Sequence, residues 1–109
     1  MKVGPYTAGN DVDFGPVITQ ASKDRILGLI NSGVDQGAKL VVDGRGFKLQ
    51  GYENGFFVGP SLFDNVTPDM EIYKQEIFGP VLTTVRTGSY EQALKLVMDN
   101  EYGNGTAIY

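Results

Sequence analysis

Helical and extended stretches alternate along this chain, and glycine or proline marks almost every break between them, so no element can run long. The opening from Met1 to Pro16 is punctuated too often for a regular element and predicts a loop. Thr19 then stands as N-cap of a helix over Gln20 to Asp35, because Ile26, Leu29, Ile30 and, less regularly, Val34 recur at helical spacing. Gly33 and Gly37 offer C-terminal stops. Ala38 to Asp43 is a short β-prone run closed by Gly44-Arg45-Gly46, and Phe47 to Gln50 is expected to pair back on it as a hairpin. An Asn54-Gly55 turn leads into extended chain from Phe56 to Phe63.

Past Pro68 an acidic stretch runs through Phe78-Gly79-Pro80 into a strand expected from Val81 to Thr87. Ser89 and Gln92 form a capping box opening a helix whose Ala93, Leu94, Val97 and Met98 share an apolar face, and Asn100 to Gly103 end it. Gly105 to Tyr109 then looks like the start of a further buried strand, a first sign that the chain is part of something longer. The alternation predicts an α/β arrangement, a mostly parallel sheet with flanking helices.

Composition narrows the chemistry. The 109 residues contain neither cysteine nor histidine, which removes disulfides, thiolate nucleophiles and the commonest general base and metal ligand. Any covalent step must take its nucleophile from elsewhere. Nine basic against thirteen acidic residues give a net charge of -4 with no basic stripe, which argues against nucleic acid as a partner. No apolar run approaches the roughly 20 residues of a membrane helix, and the N-terminus resembles neither a signal nor a transit peptide, so an intracellular location is expected.

Two residues stand out as site candidates. Glu76 directly precedes Ile77-Phe78-Gly79-Pro80, where a Gly-Pro turn could hold a carboxylate at a cleft mouth to accept hydrogen bonds from sugar hydroxyls. Phe78 could wall a pocket for a flat heterocycle. A solvated carboxylate and an ordinary core aromatic are the plainer alternatives, and the residues alone leave both open. The Gly-rich pieces Gly44-Arg45-Gly46 and Gly103-Asn104-Gly105 match no phosphate-binding fingerprint and read as turns. Asn10, Asp11 and Asp13 lack the spacing of a calcium loop, so metal binding is not expected.

Glu76-Ile77-Phe78-Gly79-Pro80-Val81 resembles the E-I-F-G-P-V motif of the aldehyde dehydrogenase superfamily. Gly15-Pro16-Val17-Ile18, Gly37-Ala38, Phe57-Val58-Gly59-Pro60 and Asn100-Glu101-Tyr102-Gly103 are further landmarks in matching order, so the resemblance covers essentially the whole chain. Gly51-Tyr52-Glu53-Asn54-Gly55 and Tyr102-Gly103-Asn104-Gly105-Thr106-Ala107-Ile108 resemble the CoA-acylating methylmalonate-semialdehyde branch. The resemblance implies a thioester mechanism: a cysteine attacks the aldehyde, hydride passes to NAD, and CoA, a co-substrate, releases the acyl group.

For this branch the implied products are propionyl-CoA from methylmalonate semialdehyde and acetyl-CoA from malonate semialdehyde. Glu76 matches the glutamate that binds the nicotinamide ribose hydroxyls, and Phe78 the phenylalanine beside the nicotinamide; no position matches a catalytic residue. Residues 1–109 are thus expected to be a fragment of the catalytic domain, without the nucleophilic cysteine, the Rossmann-like cofactor domain or the C-terminal end. The fragment is expected to be inactive and marginally stable alone, its parent a homo-oligomer, a tetramer, in the cytoplasm or, in a eukaryote, the mitochondrial matrix. A hydrolytic NAD(P)-dependent aldehyde dehydrogenase and a non-catalytic binding or assembly module are the competing readings.

Overall fold

Helix α1 spans Gln20–Asp35 in the computed structural model, which describes every residue from Met1 to Tyr109. Thr19 caps it from extended backbone, its Oγ1 accepting the Ser22 N–H at 3.0 Å and so satisfying one of the donors a helix start leaves open. Ile26, Leu29, Ile30 and Gly33 face inward, whereas Val34 stays partly exposed. Gly37, at φ +96°, supplies the left-handed stop. Gly33 does not: it lies inside the helix, where a Cβ would stand 2.8 Å from Ile72 Cδ1 and 3.0 Å from Phe63 Cζ. Glycine is needed there for close packing rather than for chain reversal.

Three short strands, β1 (Lys39–Val42), β2 (Ser61–Asp64) and β3 (Val81–Thr83), form one sheet in that order. β1 runs antiparallel to β2, with Leu40 opposite Phe63, and β2 runs parallel to β3, with Leu62 opposite Leu82. The α/β layering with flanking helices is as expected, but within this chain the sheet is mixed rather than mostly parallel. The expected hairpin partner, Phe47 to Gln50, forms no strand. The backbone after β1 is already committed: the Gly44 N–H donates to Ser61 Oγ at 3.0 Å and the Gly44 carbonyl accepts from the Gly59 N–H at 3.1 Å. The chain on either side of Gly59 thereby becomes the neighbour of β1, and residues 47 to 50 loop outward.

Phe63 is fully buried at the centre of the core, with Ile26 and Ile30 of α1, Val58 on the approach to β2, and Val66, Met70 and Ile72 beyond it. Ile72 belongs to α2 (Glu71–Lys74), a single turn that packs against α1. β3 stops at Thr83 instead of Thr87. Its partner strand is interrupted at Asn65, which takes φ +56°: the Thr84 N–H reaches the Phe63 carbonyl at 2.9 Å, and past Asn65 the Val66 N–H reaches the Thr84 carbonyl at 3.1 Å.

Helix α3 (Tyr90–Asp99) starts at the expected cap, Ser89 Oγ accepting the Gln92 N–H at 3.3 Å. The Gln92 side chain returns to the N–H of Gly88, one residue earlier than in a standard capping box. No residue of α3 is buried. Gly105 to Tyr109, expected as a buried strand, is exposed throughout and pairs with nothing. So short a segment gains too little on a three-residue edge strand to offset the entropy of ordering it. At the other end the opening loop closes on itself, Val3 bridging Phe14 around 3₁₀ turns across Tyr6–Asp11, and the Val17 N–H ties it to the Phe56 carbonyl at 2.8 Å.

Candidate cofactor pocket

Glu76 and Phe78 lie on the connection Gln75 to Pro80 between α2 and β3, and this loop is held from three sides. Arg25, on the exposed flank of α1, donates from Nη2 to the Glu76 carbonyl at 2.7 Å and from Nη1 to the Ile77 carbonyl at 2.9 Å. Gly79 rests on Ile26, close enough that a Cβ would fall 2.6 Å from Ile26 Cδ1. The Pro80 carbonyl accepts the Ser61 N–H at 2.9 Å, which passes the chain into β3. With both flanks fixed, Phe78 sits at φ +57°, a left-handed conformation that costs an ordinary L-residue about 1–2 kcal/mol.

That strained backbone turns the ring outward. Phe78, on the loop leading into β3, is 82% exposed, although Phe63, on the adjacent strand β2, is fully buried. A bulky aromatic in a disfavoured backbone region and uncovered by its own chain is a feature associated with functional sites. Phe78 lines a cleft of about 600 Å³ with Ile77, Gly79 and Pro80 on one side and Phe14, Pro16, Val17, Ile18, Arg25 and Ile26 on the other. Glu76 lies two residues away, exposed and outside the lining itself. Arg25 is the one ionic side chain in the wall.

The arrangement suits a flat, largely apolar group against the ring and walls, with a carboxylate near the rim able to accept hydroxyl hydrogens. It holds no thiol and no imidazole, and no group of three or more acidic side chains stands ready for a metal ion. The sequence singled out Glu76 and Phe78 but missed Arg25. A lone cation on a helix flank carries no signal, since its partners are backbone carbonyls some fifty positions away.

The other charge pairs are remote from the cleft. Nε and Nη2 of Arg86 donate to the two oxygens of the Asp64 carboxylate, at 2.9 and 2.8 Å, and hold that carboxyl below its ordinary range. Arg45 embraces Asp43 in the same way at 2.9 and 2.7 Å and lowers its pKa to about 2.

The aldehyde dehydrogenase family model matches residues 1–109, and the chain belongs to that family. Within it, the chain is 57% identical over 109 residues to a malonate-semialdehyde dehydrogenase of Pseudomonas aeruginosa, covering all of this chain and 22% of that protein. It is 54% identical over 99 residues to the mitochondrial, acylating methylmalonate-semialdehyde dehydrogenase of Arabidopsis thaliana, covering 91% of this chain and 16% of that one. A solved structure from Sinorhizobium meliloti 1021, assigned as a methylmalonate-semialdehyde dehydrogenase and complexed with NAD, matches with a TM-score of 0.96 at 64% identity. That match covers 100% of this chain and 22% of the other. The chain therefore spans less than a quarter of the length of these relatives.

Proposed function

We propose that these residues are part of the catalytic domain of an NAD-dependent, CoA-acylating dehydrogenase. Its substrates are methylmalonate and malonate semialdehyde, and its products propionyl-CoA and acetyl-CoA. The observation that carries the cofactor part is the outward, backbone-strained Phe78 at the mouth of an apolar cleft, with Glu76 beside it. The substrate and CoA part rests on the likeness to relatives of that name in Pseudomonas and Arabidopsis.

In this reading the Phe78 ring packs on the nicotinamide and Glu76 accepts hydrogen bonds from the adjoining ribose hydroxyls. The residues present suit such a group: a flat aromatic face, apolar walls, and an acceptor without a competing cation on its own side chain. NAD bound there supplies the hydride acceptor. The nucleophile must come from outside these 109 residues, which contain no cysteine, so this chain alone is expected to turn over no aldehyde. The parent is expected to be a homo-oligomer. No helix here is long and apolar enough to cross a membrane, and the Arabidopsis relative is mitochondrial; cytoplasm, or the matrix in a eukaryote, is the expected location.

The test is an assay of the full-length protein with methylmalonate semialdehyde and NAD, following NADH and propionyl-CoA with and without CoA. Propionyl-CoA formed only when CoA is present supports the acylating reading, and free acid formed without CoA would move the protein to the hydrolytic dehydrogenases. Separately, Glu76→Gln and Phe78→Ala should each raise the KM for NAD roughly tenfold while leaving the KM for the semialdehyde unchanged. Unaltered NAD kinetics in both variants would remove these residues from the cofactor site.

A further inference from the structure

We infer that Arg25 is a positioning residue for the nicotinamide end of the cofactor, acting on the Glu76–Phe78 loop from α1 without contacting the reacting atoms. The inference rests on the cofactor reading above and extends it to a residue on a different element. The guanidinium spans two consecutive carbonyls, those of Glu76 and Ile77, at 2.7 and 2.9 Å. A planar fork matches two neighbouring acceptors, and a lysine ammonium, a single point donor, does not reproduce the pair.

Those two carbonyls flank the positions that matter. The Glu76 carbonyl sets the backbone from which the carboxylate projects, and the Ile77 carbonyl belongs to the peptide that enters the left-handed Phe78. Beyond Phe78 the loop is already anchored by Gly79 on Ile26 and by the Pro80 carbonyl on Ser61. Before it, Gln75 is bonded by its N–H to Glu71 within the α2 turn. Ile77 packs its side chain against the core, but the only side-chain hydrogen bonds to the intervening stretch come from Arg25, the residue adjacent to Ile26 on a helix fixed in the core. Removing the fork releases the stretch from Glu76 to Phe78 to relax toward ordinary backbone angles, which swings the ring from its pose. Arg25 also lines the cleft, so its stem contributes apolar wall while its head is occupied by the loop.

The consequence is selective. Arg25→Ala should raise the KM for NAD roughly tenfold, as expected when a contact group is misplaced rather than deleted, with the semialdehyde KM and the thermal unfolding midpoint of the full-length enzyme little changed. Arg25→Lys should fall between wild type and alanine, and millimolar ethylguanidinium should partly restore the alanine variant. The decisive comparison is the double variant with Phe78→Ala: if Arg25 works through the ring, removing both costs little more than Phe78→Ala alone. Fully additive effects, or NAD kinetics unchanged in Arg25→Ala while Phe78→Ala is impaired, would overturn the assignment. Phe78→Ala with unimpaired NAD kinetics would instead overturn the cofactor reading on which it stands. Should Arg25→Ala fail to fold, the lysine variant carries the same comparison.

Discussion

Helices α1 and α3 carry the same local instructions and meet different fates. Each begins at a hydroxyl N-cap that accepts the N–H three residues on, and each has an apolar stripe at helical period. Yet α1 buries Ile26, Leu29, Ile30 and Gly33 against Phe63 and Ile72, whereas α3 buries nothing and leaves Leu94, Val97 and Met98 exposed. An amphipathic stripe therefore states that a helix is to be covered, not by what. Within these residues the sheet and α2 cover α1 alone. For α3 the cover we propose is the remainder of the longer protein.

The contrast can be broken most forcefully at its centre. Phe63→Ala should destabilise the chain by about 3–5 kcal/mol, the usual range for emptying a buried aromatic site, as judged by denaturant unfolding. A loss below about 1 kcal/mol would mean that the core around α1 is not the part holding the fold together.

Two glycines of α1 sharpen the point one level down. Gly33→Ala adds a methyl into Ile72 and Phe63, and overpacking of about 1–3 kcal/mol should outweigh the roughly 1 kcal/mol of helix propensity gained. Gly28→Ala, where a Cβ meets nothing within 4 Å, keeps the propensity gain and should stabilise. Equal shifts in melting temperature for the two would remove the packing explanation for Gly33. On α3, Val97→Ala in the isolated chain should change stability by no more than about 0.5 kcal/mol, as at any exposed position. The same change in the full-length protein should cost several times more if the rest of the protein covers this face.

The smallest effect is a titration on the loop after β1. The Asp43 carboxyl is held at about 2 chiefly by its hydrogen bonds with Arg45, below its ordinary 3.8. A depressed carboxylate contributes stability that is present above the ordinary value and lost as pH falls toward the folded value. Asp43→Asn should accordingly lower stability slightly in the neutral region, only slightly because the pair is exposed, and flatten the acid limb between about pH 4 and pH 2, where the two proteins converge.

Much of this was legible in the residues. Thr19 and Ser89 marked the starts of α1 and α3, while the single turn of α2, which has no side-chain cap, went unmarked; Gly37 marked one helix end, and Glu76 and Phe78 were candidates through the six-residue motif they share. Each is a local signal, carried by neighbours in sequence. The failures were all questions of partner choice. Phe47 to Gln50 has strand-like composition, but the groups it would have needed were taken by Gly59 and Ser61. Gly33 looked like a stop, and only the approach of Ile72 and Phe63 explains it. Arg25 gave no sign of its role because a backbone carbonyl, unlike an acidic side chain, leaves no mark in sequence.

The sequence by itself determined where the two longer helices begin, which of their faces are apolar, that no thiol or imidazole chemistry resides here, and which short motif is a site candidate. These follow from capping geometry, periodicity and side-chain inventory, properties that act over a few residues. Only the tertiary structure decided that β1 pairs with β2, that Phe63 rather than Phe78 occupies the core, and that an arginine on α1 clamps the loop carrying Glu76 and Phe78. Hydrogen-bond donors and apolar surface do not specify their partners; competition among distant segments for the same few positions does.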